Sequence, residues 1–431
     1  MIVVGGGLAG LFTASELFAA GVDVILLEAS SHPGGVARTV ERNGFSLEPG
    51  AGSFTLPHQS LDVILERAGV GSQPALGSST RYVFTDGRLV DLRPAPRALL
   101  APILPLSAKL RALGEPLVPA RAGGEETLAS FCRRRFGARA GEMLAWLMAS
   151  GVYAGDPERL AVTTAFPMLE VLERESGSVI KGALQRRRAR ARGGQRPQSH
   201  VPVGGMASMA AAIAGTLGER FQPDFAVSSV SREVSGWVVS GPEGLSADRV
   251  VLAVGPDRAA AMVDEELAGH LTGMPVSPVV VAGLGGHGAF PGPPGFGVLV
   301  GPRSGMVTRG VLFESAYAPE RSPEGSWLLK VIAGGTTTND LAQWSDERLG
   351  SVLIAETGSI LGTDLTVTFL ELVRHRRGIP QYELGHDRRL RDIDRLLDER
   401  PGLHLAGWGY RGVGVASLAM EATTLAREIT R

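Results

Sequence analysis

A chain of 431 residues exceeds one simple core, and at about 150 residues per domain it predicts two or three packed units. Apolar residues make up 44% and charged residues 20%, and a formal net charge of −1 gives no general attraction to nucleic acid. The single cysteine, Cys132, excludes an internal disulfide framework and fits a reducing, cytoplasmic compartment.

The chain begins MIVVGGGLAG, and its first strand starts at Ile2, so no leader is expected ahead of it. Residues 2–4 read as a short buried strand, residues 8–20 as a helix with apolar residues at helical spacing, and residues 24–27 as a second, parallel strand. Gly5, Gly7 and Gly10 lie between the first strand and the helix as G-x-G-x-x-G. The first glycine permits the tight turn, the second admits a phosphate to the backbone, and the third lets helix and strand pack closely. Leu8 and Ala9 bring free N–H groups at the helix start, where the dipole favours a pyrophosphate. Glu28, at the end of the second strand, is placed to accept hydrogen bonds from ribose hydroxyls. A second glycine turn at Gly34-Gly35 and the guanidinium of Arg38 suit the extended form of FAD better than NAD.

Further along, residues 82–92 (YVFTDGRLVDL) read as a hairpin around Asp86-Gly87. Residues 96–180 are predicted largely helical. The run 181–196, rich in arginine and free of acids, is predicted to be an exposed loop. Residues 227–254 alternate as sheet, and further strands are expected at 279–283, 296–300, 310–313 and 327–332. The chain closes with LHLAGWGYRGVGVASLAMEATTLAREI, a strand, a glycine-rich turn and a helix. The longest apolar run, 98–108, is short and broken by Pro102 and Pro105, well below the roughly 18 residues of a membrane span.

The block GVYAGDP…FP…E…GS…I.GAL at 151–184 resembles the oxygen-dependent protoporphyrinogen oxidase family. GFGVLV, GVLFES, AGG, GIPQYELGH and PGLHLAGWGYRGVGVASL continue the resemblance in order, over nearly the whole chain. It implies the mixed α/β (α+β) fold of the amine oxidase and phytoene desaturase superfamily. A Rossmann-type FAD domain (1–75, 200–265 and 400–431) would join a sheet-based substrate domain (76–95 and 266–399) and a helical, membrane-facing one (96–199). It implies FAD as cofactor and a porphyrinogen and O2 as partners, in heme biosynthesis. It also leaves open a homodimer and peripheral membrane contact.

Residue by residue, the resemblance assigns Arg81 to a substrate propionate and the Gly151 carbonyl to the pyrrole N–H groups. Leu299, Leu312 and Ile332 would form an apolar slot for the macrocycle. Gly52, Val227, Trp408, Gly412, Val413 and Gly414 join the expected FAD contacts. The chain departs from the family pattern at Ala51, at Trp408-Gly409 and at Ala416–Leu418, which bears on flavin electronics and substrate choice.

The flavin carries hydride chemistry, so no protein residue is singled out as catalytic. His375 and His386 are read as packing or surface residues, Cys132 as a half-buried helical thiol, and no His/Cys/Asp/Glu cluster has metal spacing. Oxidation of protoporphyrinogen IX leads the readings. A coproporphyrinogen oxidase, an amine oxidase or desaturase, and a non-catalytic flavin or porphyrin binder remain as alternatives.

Overall fold

The computed structural model describes every residue except 78–79, 93–102, 122, 192–196 and 235. Three short apolar runs, Ile2–Val4, Ile25–Leu27 and Val250–Leu252, pair in parallel with Leu403–Leu405 and Phe221–Gln222 outside them. Strands covered on both faces need no polar alternation, which explains why IVV, ILL and VVL are continuously apolar. On one face, Leu11, Phe12, Met209, Ile213, Leu418 and Ala422 pack from the helices Leu8–Ala19, Gly205–Gly215 and Val415–Ile429. On the other lie Trp237 and Val239 of a three-stranded meander, with Ile393 and Leu396 of the helix His386–Asp398.

A second sheet has seven strands, in the order Phe369–Pro380, Val276–His287, Ser326–Gly334, Thr308–Leu312, Gly297–Val300, Arg81–Thr85, Arg88–Asp91. All neighbours are antiparallel except Gly297–Val300 with Arg81–Thr85. The expected hairpin is present, and its turn residues Asp86 and Gly87 take φ of 50° and 69°, as a tight two-residue turn requires. One face of this sheet buries Val298, Val311, Leu329 and Val331 against Leu349 and Leu353 of the helix Asp346–Leu361. The opposite face turns toward the helix Ala138–Tyr153.

Helices dominate the described part of 103–191, around a core of Phe131, Cys132, Ala145 and Leu160. Cys132 is fully buried rather than half-buried, and that burial pushes its thiol up to about 12. Three buried charges meet in this unit: Arg135 bridges Glu115 and Glu173, and Glu115 also accepts from Ser178.

The expectation of a loop over 181–196 is corrected here, since Val179–Ala191 is a helix. Alanine, arginine, leucine and glutamine favour helix. The N-terminus is held by the Glu115 carboxylate, which accepts from the N–H of Val179 (3.0 Å) and Ile180 (3.2 Å). The exposure expected there holds, as Lys181, Arg187 and Arg188 face solvent; residues 192–196 lie outside the described residues. Of the run 98–108, residues 103–108 are described and lead into the helix Leu106–Leu113, whose Leu106, Leu110 and Leu113 are all exposed.

Candidate active site

The glycine turn is sealed behind and open in front. A Cβ at Gly10 would lie 1.8 Å from the Gly5 carbonyl oxygen, and one at Gly5, whose φ is +105°, would meet Val254 and the Ala253 backbone. A Cβ on Gly7 would meet nothing within 4 Å. The Gly34-Gly35 pair folds over the turn through a 2.7 Å bond from Gly34 N–H to the Gly6 carbonyl. Glu28 accepts from Gly6 N–H at 2.6 Å with one carboxylate oxygen and from Ser30 with the other.

In front of this turn opens a cavity of about 700 Å³. Gly5, Gly7, Leu8, Ala9, Glu28 and Gly35 line one end; Gly151, Ile332, Lys330 and His375 line it as well, with Trp408 and Val413. Two helix N-termini open on it, at Leu8 and Val415, and neither has a side-chain cap. Uncapped N–H groups and two positive dipole ends converging on one cavity fit a pyrophosphate and an electron-accepting ring.

Gly10 lies behind the turn. Gly52 is buried, and its carbonyl accepts from Arg321 at 2.6 Å. Gly412 and Gly414 flank Val413, and Val227 packs half-buried in the second core. Arg38 is exposed and is not among the residues that line the cavity, whereas Arg258, which sequence reasoning passed over, does line it. Its signal, GPDRA after a buried strand, is no different from an ordinary helix start.

The substrate residues named from the sequence gather on one face of the seven-stranded sheet. Leu299, Gly310, Ile332 and Val281 pair in register across four strands, so their side chains share that face. The next row on the same face runs Arg81, Gly297, Leu312, Lys330. Glycines at 310 and 297 leave shallow notches between the leucines. Gly151 comes down from the helix Ala138–Tyr153, and a Cβ there would stand 3.4 Å from Leu299. Arg81 is exposed at the rim, its guanidinium 5.5 Å from the Phe296 ring centroid.

Lys330 is fully engaged. Its ammonium donates to the carbonyls of Glu48 (2.9 Å) and Gly50 (3.2 Å) and pairs with Glu314 at 3.2 Å. Glu314 also pairs with Arg321 and accepts from Tyr317; burial pushes its carboxyl up, but Arg321 and Lys330 outweigh that and hold it below the usual range. Glu48 sits across from them. Burial raises its pKa against the pull of Arg321, and one of its oxygens has no hydrogen-bond partner. This network ties the 48–52 segment of the nucleotide side to the sheet.

The 407–412 turn is held from behind by titratable side chains. Tyr382 donates to the Trp408 carbonyl and accepts from Gly412 N–H at 2.7 Å, and Glu421 accepts from Gly407 N–H at 2.9 Å. His386 bonds the Tyr410 carbonyl at 2.9 Å and stacks on Tyr382. It is a buried packing residue, as read from the sequence. Burial pushes Glu421 up to about 7. Among the described residues no group of three or more His, Cys, Asp or Glu side chains could hold a metal ion.

A nucleotide cavity of this form, running from a Rossmann turn to an apolar sheet face, defines an FAD-dependent oxidoreductase. The chain belongs to the flavin-containing amine oxidoreductase family, whose model matches residues 8–430. It is 29% identical to protoporphyrinogen oxidase 1 of the chloroplast of Arabidopsis thaliana, over 89% of this chain and 79% of that one. It is 24% identical to coproporphyrinogen III oxidase of Bacillus subtilis, over 96% and 94%. A crystallised protein of Exiguobacterium, provisionally named a protoporphyrinogen oxidase, superposes with a TM-score of 0.85 at 22% identity, covering all of this chain and 98% of that one.

Proposed function

We propose that the protein oxidises protoporphyrinogen IX to protoporphyrin IX, with O2 as the final acceptor. The observation that carries this reading is the sheet face on which Leu299, Gly310, Ile332 and Val281 run beside Arg81, Gly297, Leu312 and Lys330, with Ile332, Val281 and Lys330 lining the cavity alongside Gly151. A broad, flat, mostly apolar molecule with a carboxylate at one edge fits it. FAD supplies the hydride acceptor, three times over for the six electrons removed. The chain orients: the leucines and Ile332 hold the macrocycle flat, Arg81 pairs with a propionate, and the Gly151 carbonyl receives pyrrole N–H groups. Gly5, Gly7, Leu8, Ala9, Glu28, Gly35, Trp408 and Val413 would hold FAD, with Arg258 as a cation on the same cavity wall. Similarity to chloroplast protoporphyrinogen oxidases along the chain supports the reading.

Coproporphyrinogen is the second reading, favoured by the near-complete coverage of the Bacillus subtilis relative. Four propionates in place of two would want more cations at the rim. Oxygen uptake and product spectra with both porphyrinogens test the pair: faster turnover of protoporphyrinogen is expected, and turnover of neither overturns the reading.

No described helix is long and apolar enough to cross a membrane. The exposed ridge Leu106, Leu110, Leu113 and Leu117 supports peripheral contact with a lipid surface. Flotation with anionic liposomes is expected to carry the protein upward, and its absence at low salt removes that contact.

A further inference from the structure

His375 stands on the strand Phe369–Pro380 and lines the FAD cavity together with Pro49, Gly50, Ala51, Lys330 and Ile332. Its Nε2 lies 3.0 Å from the Pro49 carbonyl oxygen. A carbonyl only accepts, so Nε2 carries the hydrogen, and in the neutral ring Nδ1 is left as a bare lone pair. No hydrogen bond to Nδ1 is present among the described residues, and no carboxylate pairs with the ring.

The surroundings keep the ring neutral. Burial lowers its pKa, the Pro49 bond opposes this, and Arg38 and Lys330 push it down again. Lys330 faces it from the strand Ser326–Gly334, and its partner Glu314 is shared with Arg321. Arg38 comes from the loop before residue 40. Glu48, whose carbonyl Lys330 holds, directs its carboxylate to Thr39 and Met206 instead. On the histidine's own strand Arg374 pairs with Asp346 and Arg377 with Asp257, Arg376 is exposed, and the residue opposite on the next strand is Val279.

Taking a hydride from a porphyrinogen bridging carbon leaves positive charge spread over the adjoining pyrrole, whose N–H becomes a strong acid. Lys330, the other titratable group on this stretch of wall, has all three donors engaged and no lone pair to offer. We propose that His375 is the proton acceptor of the reaction. In such a step the C–H electron pair leaves with its hydrogen to FAD, the N–H pair stays on the substrate nitrogen, and the proton goes to Nδ1 and then to water. A weak base suffices because the acid it meets is strong. This rests on the porphyrinogen reading.

The test compares the FAD-loaded wild type with His375→Gln and His375→Ala in anaerobic stopped-flow bleaching of the flavin band against pH. General-base assistance contributes roughly 10²–10⁴-fold, so His375→Gln should bleach at least about 10²-fold more slowly. It should also lose the fall in rate that the wild type shows on the acid side. Added imidazole should restore part of the rate to His375→Ala, which a merely structural role would not allow. Nitrogen-15 NMR of labelled histidine at pH 7 should show the Nε2–H tautomer, and the Nδ1–H tautomer or a doubly protonated ring overturns the proposal. A wild-type flavin that bleaches while His375→Gln keeps its rate and pH profile sinks the proposal alone. A wild-type flavin that does not bleach sinks the porphyrinogen reading beneath it.

Discussion

The two ends of the cavity are built in different ways. The nucleotide end comes mainly from one stretch of about thirty residues, backed by the 253–258 turn, and there backbone N–H groups and missing Cβ atoms would do the binding. The far end draws on segments around residues 50, 151, 330, 375 and 408, each brought in by a different strand, helix or loop. The first tolerates almost no added atoms and much change of side-chain chemistry elsewhere. The second depends on buried charges that hold separate segments in one place.

Substitution at the nucleotide end should therefore be all or nothing. Gly10→Val puts a side chain where a Cβ alone already stands 1.8 Å from the Gly5 carbonyl, so the purified protein should carry no flavin absorbance. Normal FAD content would break the contrast between the ends.

At the far end the effect should appear first as stability. Glu314→Gln leaves Arg321 and Lys330 without their shared carboxylate, and breaking a buried pair costs about 3–5 kcal/mol. Denaturant unfolding of the FAD-loaded protein measures this. A loss under 1 kcal/mol would mean that the network does not hold the 48–52 segment to the sheet.

Glu421, behind the turn that joins the two ends, sharpens the comparison through pH. Its folded pKa of about 7 exceeds that of the unfolded chain, so the folded state keeps its proton longer. Its contribution is present in acid, is lost as pH rises from about 4.5 to about 7, and is constant above. Glu421→Gln keeps an oxygen for Gly407 N–H and removes the slope. Its melting temperature should exceed that of the wild type at pH 8 and approach it at pH 4.5. Equal differences at both values would disprove the assignment.

The smallest effect belongs to the rim. Arg81 is exposed, so solvent screens its pairing, and Arg81→Ala should raise KM by roughly two- to fivefold, about 0.5–1 kcal/mol, with kcat little changed. Unchanged steady-state kinetics with porphyrinogen would take Arg81 out of the site.

Much of the fold was legible because its signals are local. The glycine turn, the Asp86-Gly87 hairpin and the closing strand, turn and helix each need only a few neighbouring residues. The helix Val179–Ala191 was missed because its cap is Glu115, more than sixty residues away. Arg258 and Lys330 were missed as site residues for the same reason, and His375 was set aside as a packing or surface residue. An arginine after a strand, a lysine in an apolar strand and a histidine among arginines carry no pattern of their own.

The sequence by itself determined the nucleotide turn and many of the strands, since backbone geometry and period-two alternation act within a segment, while the slot residues Leu299, Leu312 and Ile332 followed only from the family resemblance. Only the tertiary structure decided that Arg258, and not Arg38, lines the cavity. It alone placed Leu299, Gly310 and Ile332 in one row and stood His375 with its hydrogen turned to Pro49. Those outcomes depend on strand register and on burial, and both arise between segments far apart in the chain.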